Sequence, residues 1–338
     1  MKKTLLLTSA LVSGLTLSSV ANAEVKGSMK FGYGAADGPS DSASTAGTQG
    51  FTRETQIDMS TSGELDNGMS FTAGASLEME GDRTNATSLD MGEGTFIQFG
   101  MGDTTIHFGM DKFTNLDDSA TPTTGSALAT IANIVNASYA RNPSSPYGSF
   151  GVGLAQKTPF GDISLLYVPQ QGDNGGLAST DDHTTTDIDG NSAYEIKYKG
   201  SFGVDGLNVV AGMNERTMAT DSDNVPRDGA GIVYGASYNF GQFSVGASYM
   251  EDENQNGTTT ENTEYGVTFA ASDKVSIGVG ILKHESTAAT VDEDTKLLTV
   301  GYNLGPIALE INYADVENQA LNANRDVSGI SVNTSVKF

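Results

Sequence analysis

Along most of the chain, apolar and polar residues alternate one for one. Phe243, Val245, Ala247 and Tyr249 are separated by Ser244, Gly246 and Ser248. Val275, Ile277, Val279 and Ile281 alternate with Ser276, Gly278 and Gly280, and Ile307, Leu309, Ile311 and Tyr313 with Ala308, Glu310 and Asn312. The last residues repeat the pattern, with Ile330, Val332, Thr334, Val336 and Phe338 against Ser331, Asn333, Ser335 and Lys337. Side chains of a strand point to opposite faces in turn, so this period of two predicts strands with one apolar and one wet face. Seven short turns, such as Gly63–Gly68, Gly102-Asp103 and Asn239–Gln242, alternate with eight long polar loops. The loops fall near 35–50, 81–92, 111–148, 169–192, 217–229, 251–262, 285–294 and 317–326. Fifteen connections join sixteen strands, expected at 24–34, 51–61, 68–80, 93–101, 104–110, 149–158, 161–168, 193–200, 206–216, 230–240, 242–250, 262–271, 274–284, 295–304, 306–316 and 327–338. Their lengths suit tilted strands crossing a bilayer, which need about 9–11 residues.

A soluble sandwich also alternates, so the two faces and the strand ends decide between them. The apolar face carries aromatic residues near strand ends: Tyr33, Tyr194, Tyr198, Tyr234, Tyr238, Tyr249, Tyr265 and Tyr313, with Phe240 and Phe243 flanking one short turn. Girdles of this kind mark lipid–water interfaces. The other face is Ser, Thr, Gly, Asn and charged residues, suited to a watery lumen. Hydrocarbon tolerates no unpaired strand edge, so the sheet must close. The fold class is therefore all-β, a 16-stranded antiparallel transmembrane barrel.

The first 23 residues break the pattern. Lys2 and Lys3 precede an apolar stretch from Leu5 to Val20, and Ala21-Asn22-Ala23 fits a small-residue cleavage site. These are the three parts of a secretory signal peptide. Its removal from 338 residues leaves 24–338 as one domain of 315, and the net charge of −24 becomes −26 as two lysines leave. The mean hydropathy of −0.24 is what a lipid face and a wet face average to. With no Cys, disulfide scaffolds, thiolate metal sites and Cys nucleophiles are excluded. The 42 acids against 18 bases argue against a nucleic-acid partner.

Several segments carry a family resemblance. Glu24–Tyr33 is similar to an opening porin strand, Glu64-Leu65-Asp66-Asn67-Gly68-Met69 to the "E-L-x-N-G-L" turn of porins, Phe108-Gly109 to the end of their fifth strand, and Phe338 to their terminal residue. The ordered set resembles the general porins of the Gram-negative outer membrane, of the acidic proteobacterial type. The resemblance implies a homotrimer, passive passage of ions and small hydrophilic solutes, contact with outer-membrane lipid and lipopolysaccharide, a third extracellular loop folded into the pore, and Phe338 as an assembly signal. The longest connection, 111–148, stands in the place of that loop, and its apolar run Ala127–Val135 is expected to pack against the inner wall, the alternative being a contact at the trimer interface or a strand.

The resemblance also implies a constriction with acids on this loop facing bases on the opposite wall. The acids are Asp111, Asp117 and Asp118. Where the family places an Arg and a Lys on the second strand, this chain has Gln56 and Ser60, with Asp58 between them. Parity turns Lys26, Lys30, Glu78, Lys197 and Lys199 toward the lumen and Arg53 away from it, and Arg141 joins the lumen only if 136–141 is wall. An eyelet poor in Arg is expected to prefer cations. Acid clusters at Asp181, Asp182, Asp187 and Asp189, at Glu251–Glu253 and at Asp292–Asp294 have the oxygen density to bind Ca²⁺ or to bridge lipopolysaccharide. Asp187–Asn191 lacks the bidentate acid of a calcium loop, so a solvated rim is the first reading, and no cofactor is expected.

Three other functions make demands of their own on the sequence. A barrel hydrolase needs a Ser or Asp with a positioned His. Of the three histidines, His183 and His284 lie in or beside loops, and His107 has inward parity with no such motif around it. A substrate-specific channel needs inward Arg/Lys ladders, which the chain lacks, or an aromatic track, for which Phe96 has the right parity while most aromatics face outward. An adhesive barrel with a plugged lumen would pass no ions.

Overall fold

The computed structural model describes residues 22–38, 49–80, 88–90, 95–110, 113, 114, 116, 121, 122, 150–169, 192–218, 227–253 and 257–338. In chain order the strands are β1 (Asn22–Asp37), β2 (Gln49–Glu64), β3 (Ser70–Glu80), β4 (Ser88–Asp90), β5 (Thr95–Met101), β6 (Thr104–Met110), β7 (Gly151–Thr158), β8 (Gly161–Val168), β9 (Ala193–Gly200), β10 (Leu207–Met218), β11 (Arg227–Phe240), β12 (Phe243–Glu253), β13 (Thr259–Ala270), β14 (Val275–Ser286), β15 (Glu293–Asn303), β16 (Ile307–Glu317) and β17 (Val327–Lys337).

Apart from β4, each strand pairs antiparallel with the next along the ring, and β1 pairs with β17, so the sheet closes on itself. β4 and β5 both pair with β3 and share one place in the ring, which makes sixteen staves. Asp90 stands opposite Glu78 and Phe96 opposite Gly74, so six steps on this stave match four on β3. Such a mismatch interrupts a ladder, and the period-two pattern passed over it: β4 lies in the stretch expected as the loop 81–92.

The two faces separate as the alternation requires. On β14, Ile277, Val279 and Ile281 are 40, 51 and 54% exposed, while Leu282 and His284, further along on the opposite face, are 1 and 5% exposed. The exposed apolar side chains point outward all round the ring. On the short-turn rim they end in a stacked aromatic row, with Phe240 5.7 Å from Phe243 and Phe243 4.9 Å from Phe269. On the long-loop rim Tyr234 and Tyr249 lie 5.1 Å apart. Short turns face the periplasm in such barrels and long loops the exterior.

The strands run further toward the long-loop rim than the apolar alternation does. β12 includes Glu251–Glu253, and β15 begins at Glu293, residues expected in loops. β1 reaches Asp37 and β14 reaches Ser286, each beyond its expected end. Alternation of polarity reports the edge of the hydrocarbon, whereas the hydrogen-bonded ladder continues into water. At the opposite rim the motif turn is tight: Leu65 N–H donates to Met69 O at 2.8 Å, and Gly68 takes φ 80 where a side chain would be strained.

Candidate functional site

The lumen wall is first built from β1, β2 and β3. The register puts Lys26 opposite Asp58, Ser28 opposite Gln56, Lys30 opposite Glu54, and Ser76 opposite Asp58 on the other side. All share the face away from Phe31, Phe51 and Met59. Asp58 Oδ1 accepts from Gln56 Nε2 at 2.8 Å and from Ser76 Oγ at 2.8 Å. Lys30 pairs with Glu54 at 2.7 Å and Lys26 with Glu24 at 2.9 Å, both in reach of solvent. Ser60 lies one step below on the same face, opposite Gly74, and Glu78 is placed by register opposite Gln56. Arg53 is opposite Phe31 on the outward face.

The wall eight staves round is built differently. Glu195 on β9, Arg216 on β10, Asp252 on β12 and Glu264 on β13 have lumen parity, yet are 0, 4, 8 and 4% exposed. Arg216 Nη2 donates to Asp252 Oδ1 at 2.8 Å and to Glu253 O at 3.0 Å. The pair reaches across β11, where Gly229 and Gly231 are the facing residues and leave the space above the backbone free. Lys197 is 8% exposed beside them, while Lys199 nearer the short-turn rim is exposed. Lumen charges open to solvent lie along β1 and β2 and, at the short-turn rim, at Lys157, Asp162, Lys199 and Lys337.

Described residues of 111–148 touch this second wall. The Phe113 ring stacks on His107 at 4.5 Å and packs beside Leu166, Val168 and Ala193. His107 is in turn 5.9 Å from the Phe96 ring, with Nδ1 3.2 Å from Gln98 Nε2. Leu116 is fully buried with Val233 and Met250. Thr121 Oγ1 donates to Ser248 Oγ at 2.7 Å. A threonine hydroxyl, two apolar side chains and a stacked imidazole make an anchorage.

Asp111, Asp117, Asp118, Arg141, His183, the run 127–135 and the cluster at Asp181–Asp189 lie outside the described residues. The other acid clusters are divided by the ladder. Asp252 turns inward to Arg216, and Glu251 turns outward to accept from Tyr249 Oη at 2.9 Å. Glu293 turns inward to accept from Ala320 N–H at 2.6 Å, and Asp292 pairs with Lys283 at 3.0 Å. Among the described residues, no group of three His, Asp or Glu side chains is placed to hold a metal ion. The anchorage on the second wall was missed by sequence reasoning, although a signal exists. Leu165-Leu166-Tyr167-Val168 places apolar residues on the lumen parity, where the rule for a watery pore demands polar ones.

The geometry is similar to that of known outer-membrane channels. Residues 8–338 match the family described as Gram-negative porin. An anion-selective porin from Comamonas acidovorans superposes with a TM-score of 0.67 at 12% identity, covering 94% of this chain and 100% of that one. The channel DcaP of Acinetobacter baumannii gives 0.67 at 10% identity over 95% and 98% of the two chains. A triple mutant of Rhodopseudomonas blastica porin gives 0.62 at 14% identity over 94% and 100%. No curated protein sequence matches the chain.

Proposed function

The chain belongs to the family of Gram-negative porins, an outer-membrane diffusion channel, and from that premise we propose a general pore that favours cations over anions. The carrying observation is the Gln56–Asp58–Ser76 network on the wall that solvent reaches. A carboxylate there, with amide and hydroxyl partners instead of Arg, gives the lumen a negative surface potential where ions pass. The lysines on the same wall are each paired with a glutamate, so their field is largely cancelled. The anion selectivity named for the Comamonas porin belongs to that protein, since 12% identity carries the fold alone.

The same proposal includes the third extracellular loop. Residues 111–148 enter the lumen along β7–β12, a reading supported by the contacts of Phe113, Leu116 and Thr121 with lumen-facing residues. Asp111, Asp117 and Asp118 at the start of the loop add to the negative side. The chain is exported by its first 23 residues, assembles as a trimer, and meets lipopolysaccharide at its acidic rim.

The test is reconstitution into a planar bilayer under a KCl gradient. A reversal potential of the sign for K⁺ permeation is expected, and Asp58→Lys should move it toward Cl⁻. An unmodified channel with the potential of a Cl⁻-selective pore would sink the cation claim, and absence of any conductance would sink the channel itself.

A further inference from the structure

Three glycines on the lumen face lie under three residues of the third loop. At Gly153 on β7, the three heavy atoms nearest to an added Cβ all belong to the Phe113 ring. At Gly212 on β10, the nearest is Leu116 Cδ2. At Gly246 on β12, an added Cβ would stand 2.8 Å from Pro122 Cδ and 2.7 Å from Ser237 Cβ. Contacts this close force something to shift, because Cβ atoms in folded proteins do not approach other heavy atoms so nearly. Each missing side chain is thus filled by one from the loop.

We propose that Gly153, Gly212 and Gly246 are positioning residues, three seats that hold the root of the constriction loop against the β7–β12 wall. The proposal rests on the reading that the loop enters the lumen, and adds what sets its distance from the wall. Spacing along the chain agrees with a segment held under little slack. Five strand-to-strand steps of about 4.8 Å separate β7 from β12, about 24 Å along the wall. Nine residues from Phe113 to Pro122 reach at most about 30–32 Å. Each seat has its own lateral support: Leu166, Val168 and Ala193 beside Phe113, Val233 and Met250 beside Leu116, and the Thr121–Ser248 hydrogen bond beside Pro122. A loop fixed at three points keeps a constant aperture, and a single added methyl beneath it lifts the root into the water path.

The experiment reads single-channel conductance of purified variants, with folding followed by heat-modifiable mobility on gels. Gly153→Ala is expected to lower conductance measurably, and Gly153→Ala with Phe113→Leu to restore it toward the parent value. An unchanged conductance in Gly153→Ala, or a loss that Phe113→Leu does not restore, overturns the proposal. The chain has no cysteine, so Thr121→Cys with Ser248→Cys supplies a second reading. Oxidation should cross-link the pair in the folded channel. Failure to cross-link in a folded channel overturns the seating even where Gly153→Ala does not insert. Absence of conductance in the parent protein would instead count against the channel reading, and leaves the cross-link as the test of the seats.

Discussion

Arg216 shows how a single missing side chain can hold a charge. Its guanidinium lies across β11 because residue 229 is glycine: an added Cβ there would stand 2.7 Å from Nη2 and 3.0 Å from the Glu253 carbonyl. Gly→Ala in extended backbone ordinarily stabilises by about 0.4–1 kcal/mol through the unfolded chain. Gly229→Ala is expected to do the reverse, lowering stability by about 1–3 kcal/mol as the ion pair is displaced. Asp252→Asn should cost more, about 3–5 kcal/mol, because it removes one charge of a buried ion pair. Urea unfolding of detergent-folded protein measures both, and Gly229→Ala as stable as the parent would show that the guanidinium moves without cost. None of this was legible from spacing, since Arg216 and Asp252 are 36 residues apart and only the register of three strands brings them together. By contrast the inward parity of Lys26, Lys30 and Asp58 follows from counting by twos within one strand.

At the scale of elements, the connection between β16 and β17 is held in strained backbone. Asn318, Ala320, Leu321 and Asn324 have φ of 53, 56, 56 and 63°, the left-handed region that costs a residue with a Cβ about 1–2 kcal/mol. Asparagine is suited to it, and Asn318 uses both ends of its amide: Nδ2 donates to Asp292 O at 3.0 Å and Oδ1 accepts from Asn324 N–H at 3.2 Å. Ala320 has no polar side chain of its own, and is held by the Glu293 carboxylate on its N–H and by Asn322 Nδ2, which donates to its carbonyl at 2.9 Å. Ala320→Gly should therefore slow amide exchange through 318–326, and Glu293→Gln should speed it. Matching exchange rates in all three proteins would mean that this strain is stored elsewhere. The last strand closes the ring at its end, where Gly27 N–H donates to Phe338 O at 2.8 Å and Phe338 N–H to Gly27 O at 3.0 Å. The Phe338 ring lies over Gly27, so deleting it removes a ladder pair and its cover at once. Folding yield in vesicles without assembly machinery is expected to fall, which separates this closing role from recognition of a terminal signal. The positions of these strands were legible because each has a lipid face. Their upper limits were not, because polarity stops alternating at the membrane edge while the hydrogen bonds go on.

For the whole molecule, selectivity is a matter of fields across a water-filled space. Charges in such a lumen are screened over about 10 Å at 0.1 M salt and about 3 Å at 1 M. The proposed cation preference should be strongest in dilute KCl and fade toward 1 M, and a reversal potential indifferent to salt would point to a dry binding site instead. The chain by itself determined the strand count, the closed barrel and which face meets lipid, because strands can cross a bilayer only with an apolar face outward and every edge paired. Set beside the family's pattern, it also has Gln56 and Ser60 where an Arg and a Lys are expected. Only the tertiary structure decided which lumen charges remain open to solvent, with Lys30 and Asp58 on the wet wall and Glu195, Arg216 and Glu264 covered. It alone brought Phe113, Leu116 and Pro122 over three glycines on different strands. Parity places a side chain on a face, but what lies across that face comes from strands and loops distant in sequence, and is set by register, closure and contact.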